Sequence, residues 1–408
     1  MDNLTHSLVG LALGELVERA LPAYPDPQRG RTRRRVLLAT GALASNFPDL
    51  DLVLTPLLAP PLGYLLHHRG HTHTLLFALP QIVLLLGLMW LLWPGARRLL
   101  QGDRTARNAI LATAGLGMVL HLSFDFLNVY GVHPFHPLDS RWLYGDLVFI
   151  VEPVFWTALG VALALRVPGR MLRWLFVALL LAAPVAFTAL GFLQWGSLAG
   201  LLLVAGAIGL ASRRGGSGPL VAAIVACIAF VAVQGVAGHL AREQIRSVLA
   251  QAEPGSRVLD LPLSAMPSNP LCWSFATVTA DRGAGTYALR LGVLSLAPGV
   301  TDVHACPARF AGAPAAAPAA APAALAWTYR ESGNLDGLRT LQQTDCRIDA
   351  WLRFARVPSL IDGKATDIRF SEPGVDNFST LPYTALANQP CPGSVPQWER
   401  PRDDLLGD

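Results

Sequence analysis

The sequence predicts an all-α polytopic membrane domain of about eight membrane segments, followed by a smaller soluble, β-rich C-terminal domain. Three observations point there. Over 408 residues the hydrophobic fraction is 52% and the charged fraction 15%, and the mean hydropathy is +0.40, a balance foreign to ordinary soluble chains. The apolar residues fall in blocks of the length that carries a helix across a hydrocarbon core about 30 Å thick. After His239 these blocks stop, and short apolar runs separated by Pro and Gly take over.

The first element, Leu4 to Leu21, carries His6, Glu15 and Glu18; the second, Val36 to Leu66, carries Asn46, Asp49 and Asp51. Uninterrupted blocks follow at Thr74 to Trp93, Asn108 to Leu127, Leu147 to Leu165, Leu175 to Leu193 and Pro219 to Ala237, with a shorter one at Leu198 to Ala211. The start lacks the basic segment of a secretory signal, so the first element is expected to remain in the mature chain. Arginines cluster at Arg29 to Arg35, at Arg97 to Arg107, at Arg166 to Arg173 and at Arg213–Arg214, while the alternate loops hold little more than Arg69 and Arg141. By the positive-inside rule the clusters are cytoplasmic, both chain ends lie outside, and the protein belongs in a bacterial-type inner membrane.

Residues 239–408 are long enough to bury a core of their own, which gives a division into a membrane domain, 1–238, and an extracytoplasmic domain, 239–408. Trp273 to Val278 and Tyr287 to Leu296 read as strands, and the Ala/Pro stretch 311–324 as an extended insertion. Cys272, Cys306, Cys346 and Cys391 all fall in this tail, an even number in a compartment where disulfides persist, with three pairings open.

Eight of the ten histidines lie before residue 137. Ionisable groups in or beside membrane segments are costly and mark functional cavities. Here they accompany carboxylates in short patterns: Asn46-Phe-Pro-Asp49-Leu-Asp51, His68-Arg69-Gly-His71-Thr-His73, His121-Leu-Ser-Phe-Asp125, and Glu152. His121 and Asp125 stand one turn apart on one helix face and can close on one ion. Imidazole and carboxylate suit Zn²⁺, with Mn²⁺ or Fe²⁺ as alternatives. With the arginine clusters inside, His6, Asp49, Asp51, His68, His71, His73, His121, Asp125 and Glu152 all converge on the outer leaflet. Each has a plainer reading: a surface histidine for His6, helix-breaking turn residues for Asn46, Asp49 and Asp51. His67, His133 and His136 read as structural or solvated, His239 and His304 as residues without a role.

These patterns, with Asp2-Asn-Leu-Thr-His6-Ser, Pro48-Asp49, Asn128, Tyr130-Gly131 and Glu152-Pro153, resemble the membrane-bound metal-dependent hydrolase family, the YdjM-like inner-membrane proteins. The resemblance covers about 155 residues strongly, and extends weakly to Asn269-Pro-Leu-Cys-Trp273 and Trp351 in the tail. Through its histidine/aspartate pattern it is distantly similar to the zinc-dependent phospholipase C and P1-type nuclease group, whose all-helical sites cleave phosphate esters; His121 and Asp125 match that group's His-x-x-x-Asp pair. The resemblance implies His6, Asp49, His71, His73, His121, Asp125 and Glu152 as metal ligands, and His68, in the same short pattern as His71 and His73, is expected to join them. Glu152 departs from the aspartate common in the family, which keeps the carboxylate and lengthens its arm.

The expected activity is metal-dependent hydrolysis. A water activated by the ion would lose its proton to whichever of Asp49 and Asp51 does not ligate the metal, with Arg69 steadying the developing charge. A phosphoester or ester of a membrane lipid or lipid-linked molecule is the expected substrate, and nucleic acid is not expected as a partner. Two rivals use the same residues: a metal or ion transporter, whose site belongs near the bilayer midplane, and a sensory membrane protein with a metal-stabilised core. The arginine alternation makes a direct prediction: a topology reporter fused after Arg35 or Arg104 reads as cytoplasmic and one after Asp408 as external, and an external signal at Arg104 would reverse the whole assignment.

Overall fold

The computed structural model describes residues 1–407 apart from 214, 254, 307–322 and 371–374. The Ala/Pro stretch 311–324 therefore lies almost wholly outside the described residues. The chain forms two compact units: Met1–Leu50, His71–Phe135 and Ile150–Ala232 make the first, and Asp51–Gly70, His136–Phe149 and Val233–Asp408 the second. The second unit thus includes two segments from the first 150 residues, and its boundary near Val233 falls inside a helix rather than at its end.

The helices are α1 (Asn3–Ala20), α2 (Pro27–Ala44), α3 (Leu62–His67), α4 (Leu75–Leu92), α5 (Pro94–Gly102), α6 (Arg104–Phe126), α7 (Pro153–Ala164), α8 (Arg170–Ala189), α9 (Trp195–Ser212) and α10 (Gly218–Ala252). Six stretches among the described residues are long and apolar enough to cross a membrane: Pro27–Leu57, α4, α6, α8, α9 and α10. The expectation of about eight segments counted two more. One is α1, which carries Glu15, Glu18 and Arg19 within its 18 residues. The other is α7, only 12 residues long because Glu152 and Pro153 start the helix late. Burial along nearly all of α7 marks it as the core of its half of the unit.

The second element also departs from expectation. Instead of running to Leu66, α2 ends at Ala44, and a 3₁₀ stretch, Phe47–Leu57, follows. Pro48 lacks the N–H that would bond the Ala44 carbonyl, and the Asn46 side chain donates back to Ala42 O at 2.8 Å, so the helix cannot continue.

α1 and α2 form an antiparallel hairpin whose register is fixed by glycine. A Cβ added to Gly10 would stand 2.2 Å from Gly41 O, one on Gly41 2.1 Å from Gly10 O, and one on Gly14 2.5 Å from Leu37 O. Only glycine allows backbones so close. The same register pairs Glu18 with Arg33 at one end, at 2.8 and 2.9 Å, and Asn3 with Asp49 at the other, at 3.2 Å.

The basic loops gather at the Glu18 end. Glu15 accepts from Arg19 and Arg34, both at 2.9 Å, and from Arg166 at 3.4 Å. Arg166 also reaches Gly216 O at 2.7 Å, while Asp103 pairs with Tyr24 and with Arg29. These contacts bring residues of the first three arginine clusters, and Gly216 beside the fourth, to one end of the unit.

In the second unit, strands β1 (Arg257–Asp260), β2 (Leu263–Met266), β3 (Asn269–Asp281), β4 (Thr286–Ser295) and β5 (Leu325–Asn334) form an antiparallel sheet of order β1-β3-β4-β5, with β2 also on β3. Both expected strands are there: Trp273 to Val278 is the middle of β3, and Tyr287 to Leu296 is nearly the whole of β4, which ends one residue earlier. Trp273, Phe275, Leu263, Leu294 and Trp327 pack on Ala237, Ala241, Ile245 and Leu249 of α10. A hairpin of β6 (Pro358–Ile361) and β7 (Lys364–Asp367) turns through Asp362 and Gly363, both at positive φ. Disulfides join Cys272 to Cys306 and Cys346 to Cys391. Buried Arg356 is held by Asp146 at 2.8 and 2.9 Å and by Asp260 at 2.7 and 3.0 Å, over the Tyr144 ring at 3.9 Å. Burial alone would raise the Asp260 carboxyl, but Arg356 and Arg402 hold it well below the usual carboxylate range.

The hairpin contact makes a sharp prediction. Gly10→Val drives a Cβ, with two methyl groups beyond it, into the Gly41 carbonyl and should destabilise the first unit by about 1–3 kcal/mol, whereas Gly115→Val, facing open space, should be nearly silent; thermal unfolding in detergent distinguishes them.

Candidate metal centre

At the other end of the α1–α2 hairpin, the break after Ala44 sets up the site. In a continued helix the Ser45 carbonyl would accept from Asp49 N–H; instead Asp49 N–H bonds Asn46 O at 3.2 Å. The Ser45 carbonyl is then available to His121 Nδ1, 2.7 Å away. A carbonyl only accepts, so Nδ1 carries the proton and Nε2 presents a lone pair. α6 is brought to this point by Gly117, one turn before His121, whose carbonyl takes the Ser45 hydroxyl at 3.4 Å.

His73 arrives from the short turn before α4. Thr74 caps that helix through Phe77 N–H at 3.1 Å, and Gln81 holds the Thr72 carbonyl at 2.7 Å. Asp125 comes from the last turn of α6, Asp49 from the 3₁₀ stretch. His73 Nε2 lies 3.0 Å from His121 Nε2, 3.4 Å from Asp49 Oδ1 and 3.3 Å from Asp125 Oδ2. His121 Nε2 lies 3.7 and 3.5 Å from the same two oxygens. One donor atom from each of the four residues lies within 4.8 Å of every other.

Those spacings identify what the cluster suits. Four donors each about 2.0–2.1 Å from a central Zn²⁺ stand about 3.3 Å apart along the tetrahedron's edges, and the five measured separations scatter around that value. Two aspartates at 8% and 1% exposure and two histidines at 0% meet there, a buried set of oxygen and nitrogen lone pairs that a shared cation would hold together. The donor set therefore fits a divalent metal, with Asn3 on Asp49 and Ser45 on His121 as the supporting partners that ligands require.

His6 joins the group from α1. Its ring stacks on His121 with centroids 4.0 Å apart, and its Nε2 is 3.3 Å from Asp125 Oδ1, which the Met1 amine also meets. The first turn of α1 is held by its cap: Asp2 accepts from Thr5 N–H at 2.9 Å and from the Trp156 indole of α7 at 3.1 Å.

The remaining sequence candidates are not among the four donors of this group. His71 is exposed beside Phe77, its ring 5.5 Å from that ring, and does not enter the cluster. Glu152 is buried and caps α7 through Val154 N–H at 3.2 Å. Asp51, His68 and Arg69 belong to the second unit and form a group there: Asp51 faces His68 Nδ1 and accepts from Arg69 N–H, both at 3.0 Å, with Arg69 at positive φ. His133 is buried, and His136 pairs with Ser140 at 2.8 Å. Sequence reasoning missed Asn3 and Ser45. Asn3 stands in the quoted N-terminal motif, but Ser45 acts through its backbone and leaves no side-chain signal.

Fold and site together define a multi-pass membrane protein with a buried His/Asp cluster able to hold a metal ion. Comparison with known proteins agrees with that class: residues 1–196 match the family model of the YdjM inner membrane protein, a stretch containing every residue of the cluster. An uncharacterized protein, YfhP, of Bacillus subtilis (strain 168) is 30% identical over 169 residues, 41% of this chain and 47% of that protein. The chain thus matches about half the length of that curated relative. No solved structure matches.

Elemental analysis of the detergent-purified protein tests the centre. Wild type should carry about one tightly bound divalent metal per chain, lost in His73→Ala and His121→Ala and retained in His239→Ala and His71→Ala; equal metal in all five would remove the centre.

Proposed function

We propose that this protein is a membrane-embedded metal-dependent hydrolase acting on a phosphoester or ester of a lipid or lipid-linked molecule. The observation that carries the reading is the close approach of one donor atom each from Asp49, His73, His121 and Asp125, buried side chains brought together from three separate elements. Zn²⁺ bound there would supply Lewis acidity and a water acidified to a pKa near 7.

The chain's own residues divide the remaining work. Asp49 is the most exposed of the four, at 8%, with its Oδ2 steadied by Asn3; it is the ligand that would yield its place on the ion to a water and accept that water's proton. His121, locked by Ser45, and His73 hold fixed lone pairs. Asp125 takes His6 on its second oxygen, keeping its orientation. Position in the bundle supports a lipid substrate and speaks against a transport site: at 1.5 Å per residue His121 lies about 26 Å along α6 from Arg104, most of the way across a core about 30 Å thick. With the arginine end in the cytoplasm, the site belongs to the outer leaflet and the inner membrane's extracytoplasmic side.

Activity on bis(p-nitrophenyl) phosphate and on a short-chain phosphatidylglycerol tests the reading. Turnover should vanish with a chelator, return with Zn²⁺, and fall at least about a hundredfold in His121→Ala. Asp51→Asn and Arg69→Lys probe the second group: reduced turnover with full metal content would assign those residues to the reaction. A metal-loaded protein that hydrolyses neither probe would leave the ion a structural role, which four protein donors closing a tetrahedron also provide.

A further inference from the structure

The arginine end of the first unit holds more positive charge than the fold uses. Among the nine arginines of the first two clusters, Arg29, Arg33 and Arg34 pair with Asp103, Glu18 and Glu15, and Arg97 donates to the carbonyls of Trp90 and Leu91 at 2.9 Å. Arg31, Arg35, Arg98, Arg104 and Arg107 are exposed, and among the described residues none of the five has an ion pair or side-chain hydrogen bond. They come from separate segments that the fold brings together. Asp103 binds Tyr24 and Arg29 from the α1–α2 side, and the start of α5 packs on α2, where a Cβ on Gly95 would sit 3.0 Å from the Thr32 methyl.

The helix between them, α5, has a two-sided composition. Gly95, Ala96 and Leu99 are buried while Arg98 is exposed. Trp90 and Trp93 stand immediately before it, and Arg97 lies over the Trp90 ring at 4.8 Å. A short amphipathic helix flanked by tryptophan and arginine at the end of an apolar span fits the headgroup layer of a bilayer.

We propose that the face formed by Arg31, Arg35, Arg98, Arg104 and Arg107, with α5 as its floor, is a binding surface for anionic phospholipid headgroups. Each guanidinium presents donors in the fork geometry that takes a phosphate oxygen pair, and a surface potential of lipid phosphates is the counter-charge that these five cations lack among the described residues. This goes beyond the hydrolase reading and does not depend on it, because the surface lies at the opposite end of α6 from the metal centre.

The test uses the full-length protein in nanodiscs of phosphatidylglycerol and phosphatidylcholine, with the lipids retained on gentle detergent extraction counted by native mass spectrometry. Wild type should retain phosphatidylglycerol in roughly tenfold excess over its share, less at high salt. The excess should fall to near unity when all five arginines become Gln, survive when all five become Lys, and survive in Arg282→Gln. The partial sets R31Q/R35Q and R98Q/R104Q/R107Q, each lowering the excess, keep the test decisive should the fivefold variant not fold. Equal retention of the two lipids by wild type, an unchanged excess in both partial sets, loss in the Lys variant, or displacement by excess inorganic phosphate would each overturn the proposal.

Discussion

The close approach of two backbones, Gly10 against Gly41, is the constraint on which the first unit depends. It sets the hairpin of α1 and α2 in a single register, and every functional contact at either end inherits it: Glu18 with Arg33 and Glu15 with Arg34 at one end, Asn3 with Asp49 at the other. Helices in an apolar medium gain little from hydrophobic burial against each other, so close packing of small residues has to supply the specificity. A crossing tight enough to exclude a methyl group also excludes a neighbouring register.

The interruption of α2 is the second requirement. A helix running straight through residue 48 would keep the Ser45 carbonyl for itself and turn Asp49 onto another face. Breaking it with Asn46 and Pro48 releases an acceptor for His121 and turns Asp49 toward the incoming histidines. The same local irregularity that weakens a membrane span thus builds the metal-compatible geometry, and irregular backbone at such a depth is tolerated where it lines a polar interior.

Much of this was legible in the sequence. Apolar block length gave most of the spans, and alternation of arginine clusters gave the side on which they meet. The i, i+4 spacing of His121 and Asp125 gave half the cluster. Strands β3 and β4 announced themselves by β-branched and aromatic residues between glycine turns. What stayed hidden has a physical cause in each case. The end of α2 is masked because Phe47, Leu50, Leu52 and Val53 continue the apolar composition past the break. The choice between His71 and His73 rests on a turn geometry that two histidines spaced by one residue do not encode. Asp51, His68 and Arg69 looked continuous with the cluster, yet the chain passes into the second unit after Leu50 and returns only at His71. Proximity in sequence cannot reveal that.

The Arg356 clasp carries a consequence for the order of assembly. Asp146 and Arg356 are 210 positions apart, so at about 5–20 residues per second the carboxylate is synthesised roughly 10–40 s before its partner. In that interval α7, α8, α9 and α10 are all made, so Asp146 can meet Arg242 of α10, 96 positions on, but waits for Arg356 until the last quarter of the chain leaves the ribosome. The second unit is therefore a late product of translation, and a chain truncated before residue 356 should present a finished hairpin and histidine cluster beside an unclosed loop, the kind of half-built intermediate that membrane quality-control proteases are equipped to find.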